Sequence, residues 1–146
     1  MKYLQPAHWP RPRGYSNGIV ATGRTVFVSG MVGWDAEGKM VSSNFAAQVR
    51  QIFLNIVTVL AEANAKPENI VRMNWYLLDK KEYMGAYKEL GAVYREIIGN
   101  HYPAMTAVQV SGLIEDAARV EIEVTAVVPD GMSIADQVEP NAFTNG

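Results

Sequence analysis

The side chains best placed to do chemistry sit in two neighbouring stretches, residues 101–110 and 118–128. The second alternates with period two. Val120, Ile122, Val124, Ala126 and Val128 point one way, and Arg119, Glu121, Glu123, Thr125 and Val127 the other. That pattern is a strand with one face in a core. Arg119, Glu121 and Glu123 then stand about 7 Å apart in succession on the opposite face, from a rise of ~3.4 Å per residue. Two readings fit this row of charge: a solvated sheet face, or one wall of a site. The preceding segment favours the site. Pro103 blocks helix and drives His101 and Tyr102 toward extended geometry. Residues 105–110 enter a second short strand. Tyr102, Met105 and Thr106 are left near one strand end, where mixed folds tend to gather their sites.

Composition removes whole classes of chemistry. There is no cysteine, which excludes disulfides, thiol catalysis and cysteine-ligated metals. His8 and His101 are the only imidazoles, too few for an ordinary zinc or iron set, so neither metal nor cofactor is expected. No Gly-x-Ser-x-Gly elbow and no phosphate-binding or dinucleotide glycine pattern occurs. A net charge of −2 offers nothing to a polyanion, so nucleic acid is not an expected partner. With 49% hydrophobic and 19% charged residues in 146, the chain reads as one soluble domain with its own core. The N-terminal segment has no apolar h-region, and no run approaches the ~18 apolar residues of a membrane span. No membrane association and a cytoplasmic location are the expectation.

The elements that must position these residues follow in order. Residues 1–14, with three prolines, should be irregular. Residues 19–21 and 25–29 flank Thr22-Gly23-Arg24 and read as a hairpin. Ser29-Gly30-Met31-Val32-Gly33 should bulge the second strand, and residues 35–38 form a turn. Ser43 or Asn44 caps a helix. Its stripe is Phe45, Val49, Ile52, Phe53, Ile56, Val59, Leu60 and Ala63, with Gln48 among the polar remainder. Residues 64–67 stop it, and residues 70–78 read as a strand. Asp79-Lys80-Lys81-Glu82 fits a capping box for a second helix with Tyr83, Tyr87, Leu90, Tyr94, Ile97 and Ile98 inward and Gly99 as its stop. One sheet covered on one face by two amphipathic helices is an α+β two-layer sandwich. The other sheet face, with Phe27, Met31, Trp75 and Val127 as candidates, is too apolar to leave wet, which implies an oligomer packed through the sheet. Residues 1–128 form the single domain and 129–146 a C-terminal tail.

The string Pro-Ala-x-Thr-x-Val-x-Val at 103–110, followed by Val-Glu-Ile-Glu at 120–123, resembles the signature of the RidA/YjgF family. The likeness extends from Gly14 to Val128 through Gly14-Tyr15-Ser16, residues 26–30, Gln48 with Asn55, Ile56 and Leu60, residues 71–79, Tyr87 and Tyr94. The family's fold is chorismate-mutase-like, with a mixed sheet, typically assembled as a homotrimer with a small-molecule cleft between each pair of subunits. Its well-studied activity is hydrolysis of reactive 2-imino or enamine acids to 2-oxo acids and ammonia. Carried over residue by residue, the resemblance implies Tyr15, Ser29 and Glu121 as catalytic positions. The family's glutamine after Ser-Gly is Met31 here, and its arginine after Pro-Ala is Met105.

That last departure has physical weight. Arginine grips a carboxylate through two parallel charge-assisted hydrogen bonds, whereas methionine offers an apolar, polarisable surface. The substrate is therefore held elsewhere or carries no carboxylate at that point. Arg24, Arg72 and Arg119 are the replacements to weigh, Arg72 first; its plain alternative is a surface arginine at a strand end. Met31, Met105, Thr106 and Arg72 make the substrate-binding set, and Glu121 can act as general base for a water attacking a C=N carbon. The plain alternative for Glu121 is a structural carboxylate accepting backbone N–H bonds. His101 is either a group near the cleft or a loop contact. Three functions compete: an enamine or imine deaminase for a more apolar substrate, a non-catalytic ligand-binding trimer, and a ribonuclease, which the acidic balance disfavours.

Overall fold

In the computed structural model, residues 1–130 are described. Of the tail expected over 129–146, residues 131–146 lie outside them. The longest element is α1 (Phe45–Glu62). Asn44 caps it by accepting from the Ala47 N–H. Phe45, Val49, Ile52, Phe53, Ile56 and Leu60 recur at helical spacing and are buried. Each contributes roughly 1.5–3 kcal/mol on leaving water. Val59, placed on that stripe by the sequence, is instead part-exposed. Gln48, placed on the polar side, is fully buried. Its Nε2 donates to the Ser42 and Ala117 carbonyls and its Oε1 accepts from the Arg119 N–H. A helical face admits an amide to the core when every polar atom finds a partner.

Four strands make the main sheet: β3 (Arg24–Met31), β4 (Ile70–Leu77), β5 (Ala104–Gln109) and β6 (Val120–Val128), in the order β3-β6-β4-β5. β6 is antiparallel to both neighbours, while β4 and β5 run parallel. Parallel neighbours need a crossover, supplied here by α2 (Lys80–Gly85) and α3 (Tyr87–Ile97). Asp79 caps α2 by accepting from the Lys81 N–H, and Gly99 stops α3 at φ 103. The one long helix expected here is two, separated at Ala86, just after Gly85, whose missing side chain weakens the helix. The core lies between one sheet face and the helices. Phe53 meets Trp75 and Tyr94 edge-on at 5.7 and 5.6 Å.

Two expectations are corrected. Residues 19–21 and 25–29 do not form a hairpin. β2 (Ile19–Val20) pairs with β1 (Lys2–Tyr3), so part of the N-terminal segment is a strand, and β3 pairs with β6. A two-residue strand has few local contacts to hold, and the long-range partner with nine residues of alternating pattern wins. Trp75 and Met31 do not lie on the open sheet face. Trp75 registers with Ile122 and is buried on the helix side; Met31 registers with the same residue and packs against the core. Phe27 does lie on the open face and is 79% exposed, with Val127 on the same side.

Candidate functional site

The open face of the sheet collects polar groups. Alternation along β6 turns Glu121, Glu123 and Thr125 away from the helices. The register sets Tyr76 beside Glu121, Asn74 beside Glu123, and Thr106 next to Asn74. Glu123 is committed. It accepts from the Tyr76 hydroxyl at 2.6 Å and from Asn74 Nδ2 at 3.2 Å. Those two bonds, the tyrosine's first, hold its carboxyl below the ordinary range, and the charge of Arg72 adds to them against the opposing effect of burial. The Tyr76 phenol is pushed up, chiefly by the same bond.

Glu121 is the uncommitted carboxylate: among the described residues it makes no hydrogen bond or ion pair. The backbone-bonded role weighed for it is thus not seen. Its side chain lies on Gly30, where a Cβ would fall 2.9 Å from the Glu121 Cδ. Gly30 belongs to the expected bulge. The register moves from Val28–Val124 to Met31–Ile122, so Ser29 and Gly30 together oppose Glu123. The bulge turns Ser29 onto the open face, where Ser29, Arg72, Asn74 and Glu123 border a hollow of about 270 Å³.

A second concavity lies on the other side of the sheet, against the helices. Met105 registers with the buried Met73, so its side chain points to the helix layer rather than toward Glu121. It lines a cleft of about 200 Å³ with Gly14, Trp75, Tyr83, Tyr87, Leu90, Gly91, Tyr94, Arg95 and Tyr102. An adjoining cleft of about 280 Å³ shares Met105 and adds Tyr15 and Arg13. Tyr15 is placed by its neighbour: the Ser16 N–H donates to the Pro103 carbonyl at 3.0 Å, and the Ser16 hydroxyl to that of Tyr102. The aromatic wall is braced. Tyr94 and Tyr102 stack at 5.3 Å, the Tyr94 hydroxyl donates to the His101 carbonyl, and Tyr83 meets Tyr87 edge-on at 6.1 Å. Burial raises the pKa of both Tyr83 and Tyr94, so both phenols stay neutral donors.

The proposed replacement arginines separate clearly. Arg24 donates to the Ala63 carbonyl at the end of α1, and Arg119 pairs with Glu82 at 2.5 Å. Arg72 borders the open-face hollow. Arg95 was not singled out by the sequence. A signal existed, since Tyr87, Gly91 and Arg95 recur at i, i+4 and i+8 along α3, one face with a gap in its middle. His101 is a loop contact: Nε2 lies 2.5 Å from the Ile70 carbonyl and Nδ1 2.6 Å from the Tyr3 hydroxyl. A carbonyl only accepts, so Nε2 carries the proton and Nδ1 accepts from Tyr3. Within one chain, then, Ser29, Arg72, Thr106 and Glu121 share the open face, Tyr15 and Met105 share the helix-side cleft, and Met31 packs against the core. The two sets do not meet. Among the described residues no three of His, Asp and Glu gather as a metal site, and no helix is long and apolar enough to cross a membrane.

Residues 8–128 match the profile of the family described as Endoribonuclease L-PSP. The chain is similar to a RutC family protein of Aquifex aeolicus, 35% identical over 130 residues, covering 87% of this chain and 99% of that one. It is similar to the 2-iminobutanoate/2-iminopropanoate deaminase of Bos taurus, 31% identical over 127 residues, covering 86% and 89%. Its fold is similar to that of YyfB, a Rid-family protein of Yersinia pestis, with a TM-score of 0.75 at 28% identity, covering 87% and 98%. The motifs, the mixed four-stranded sheet with its helices on one face and these likenesses converge: the chain belongs to the endoribonuclease L-PSP family, that of the RidA/YjgF proteins.

Proposed function

We propose that the protein is a hydrolytic deaminase of a small reactive enamine or imine, acting in a cleft between the subunits of a homotrimer. Family membership and relatives named as imine deaminases support the reading. The observation that carries it is Glu121, a carboxylate without a partner among the described residues and seated on a glycine in a bulge, beside a second carboxylate already consumed by Tyr76 and Asn74. Glu121 takes a proton from water as the oxygen adds to the C=N carbon. The carbinolamine then collapses. Its nitrogen, already given the first proton by Glu121, takes up the hydroxyl proton as well, the C–N bond breaks, and a carbonyl compound and ammonia leave. Ser29, Tyr15 and Thr106 orient the substrate and the water, Arg72 supplies positive charge on the open face, and Met105 presents an apolar surface to the substrate body. Because Glu121 and Met105 lie on opposite sides of one sheet, a shared cleft joins the Glu121 face of one protomer to the Met105 cleft of the next.

Ammonia release from imines generated in situ by an amino acid oxidase tests this. Wild type should turn over 2-iminobutanoate slowly and a bulkier apolar imine faster. Met105→Arg should raise the 2-iminobutanoate rate, and Glu121→Ala should lower both by about 10²-fold or more. If wild type and Met105→Arg are inert on every imine, the deaminase reading falls. The second reading, a non-catalytic ligand-binding trimer, then takes its place; the observation favouring it is Met105 itself, which removes the family's clamp. RNA cleavage is not expected at a net charge of −2. Absence of RNA retention at low salt removes that option.

A further inference from the structure

We infer that Arg95 is the anion anchor of the helix-side cleft, and that the ligand there is a flat or aromatic carboxylate. The inference deepens the deaminase reading by naming its substrate class as an imine whose apolar body carries one carboxylate. Side chains on a helix lean toward its N-terminus and cover the preceding turn. Arg95 does so, and that turn carries Gly91. A Cβ at position 91 would lie 3.2 Å from the Arg95 Nη1, so the guanidinium rests in the space that glycine leaves. This brings the guanidinium to the wall of a cleft otherwise formed by Tyr83, Tyr87, Tyr102, Trp75 and Met105.

Three features make it an anchor rather than a surface charge. Among the described residues Arg95 has no hydrogen-bond or ion-pair partner, whereas Arg24, Arg50 and Arg119 are engaged. No carboxylate lines either adjoining cleft; Arg95 is the cation lining the first and Arg13 the cation lining the second. The cleft of about 200 Å³ also has the right size, since a cavity of about 150 Å³ accepts benzene. One ring with a short chain fits, its faces against tyrosines and the Met105 thioether. A guanidinium at the rim then meets the carboxylate at the chain's end with two parallel hydrogen bonds.

The probes are 3-phenylpropanoate and its neutral isostere 3-phenylpropanamide, titrated calorimetrically into the full-length protein. Wild type should bind the acid about tenfold or more tightly than the amide, a difference of one charge-assisted contact. Arg95→Ala should erase the preference by costing the acid about tenfold and the amide far less, and Arg95→Lys should restore part of it. The preference should shrink as salt is raised. Equal affinities in wild type, no binding of either probe, or equal losses for both in Arg95→Ala overturn the inference. An Arg95-dependent preference without imine turnover upholds it and sinks the deaminase reading. Turnover of a phenyl-bearing imino acid that ignores Arg95 does the reverse.

Discussion

Glu121 and Glu123 stand two residues apart on one strand face and are chemically opposite. Glu123 accepts from Tyr76 and Asn74, while Glu121 accepts from nothing among the described residues. The difference has a pH signature. The folded pKa of Glu123 is lowered, so its bonds add stability above the ordinary carboxylate value, and that share is lost as pH falls through the folded value. Tyr76→Phe removes the largest cause. It should cost about 1 kcal/mol at neutral pH, and the cost should shrink toward pH 3; urea unfolding at both pH values checks it. A penalty that is the same at both would mean the bond is not what lowers the pKa. Neither the division of labour nor the role of Gly30 was legible from the strand pattern, which marks both glutamates alike as outward. Partners are set by the register with β4 and by the bulge, both products of pairing at long range.

At the level of elements, one side chain ties the helix layer to the strand that carries Glu121. Gln48 leaves α1, is fully buried, and bonds the Ala117 carbonyl and the Arg119 N–H immediately before β6, as well as the Ser42 carbonyl before α1. Gln48→Met keeps the volume and strands three backbone groups. The expected loss is about 2–4 kcal/mol, read as a lower urea midpoint at unchanged slope; a loss under ~0.5 kcal/mol would show that the amide network is dispensable. The stripe of α1 was readable because its large apolar residues outnumber the exceptions. Gln48 was not, since helical period assigns a polar residue to solvent unless its partners, some seventy residues away, are known.

At the level of the molecule, the open sheet face leaves Phe27 79% exposed, with Val108 at 43% on the same side through its register with Tyr76. An isolated protomer would pay for that exposure in solubility. The proposed trimer should sediment at three times the 16.1 kDa chain mass. Phe27→Glu places a charge in the packed face, so it should shift the population to smaller species. It should also reduce imine turnover, because the proposed cleft needs two protomers. Sedimentation velocity with a parallel ammonia assay reads both. A fully active monomer would sink the shared-cleft reading.

The sequence by itself determined which residues alternate on β6, where α1 begins and which face it buries, and where β3 bulges. Each is a local property, set by side-chain period, capping chemistry or backbone permissiveness over a few residues. Only the tertiary structure decided the rest. β2 pairs with the N-terminus instead of β3, because strand partners are chosen by long-range burial. Trp75 and Met31 face the helices through registers with Ile122. Met105 and Glu121 take opposite sides of the sheet, and Arg95 reaches the aromatic cleft across Gly91. These depend on which strand lies beside which and on where a missing side chain leaves room. Those relations exist only once the chain has closed on itself.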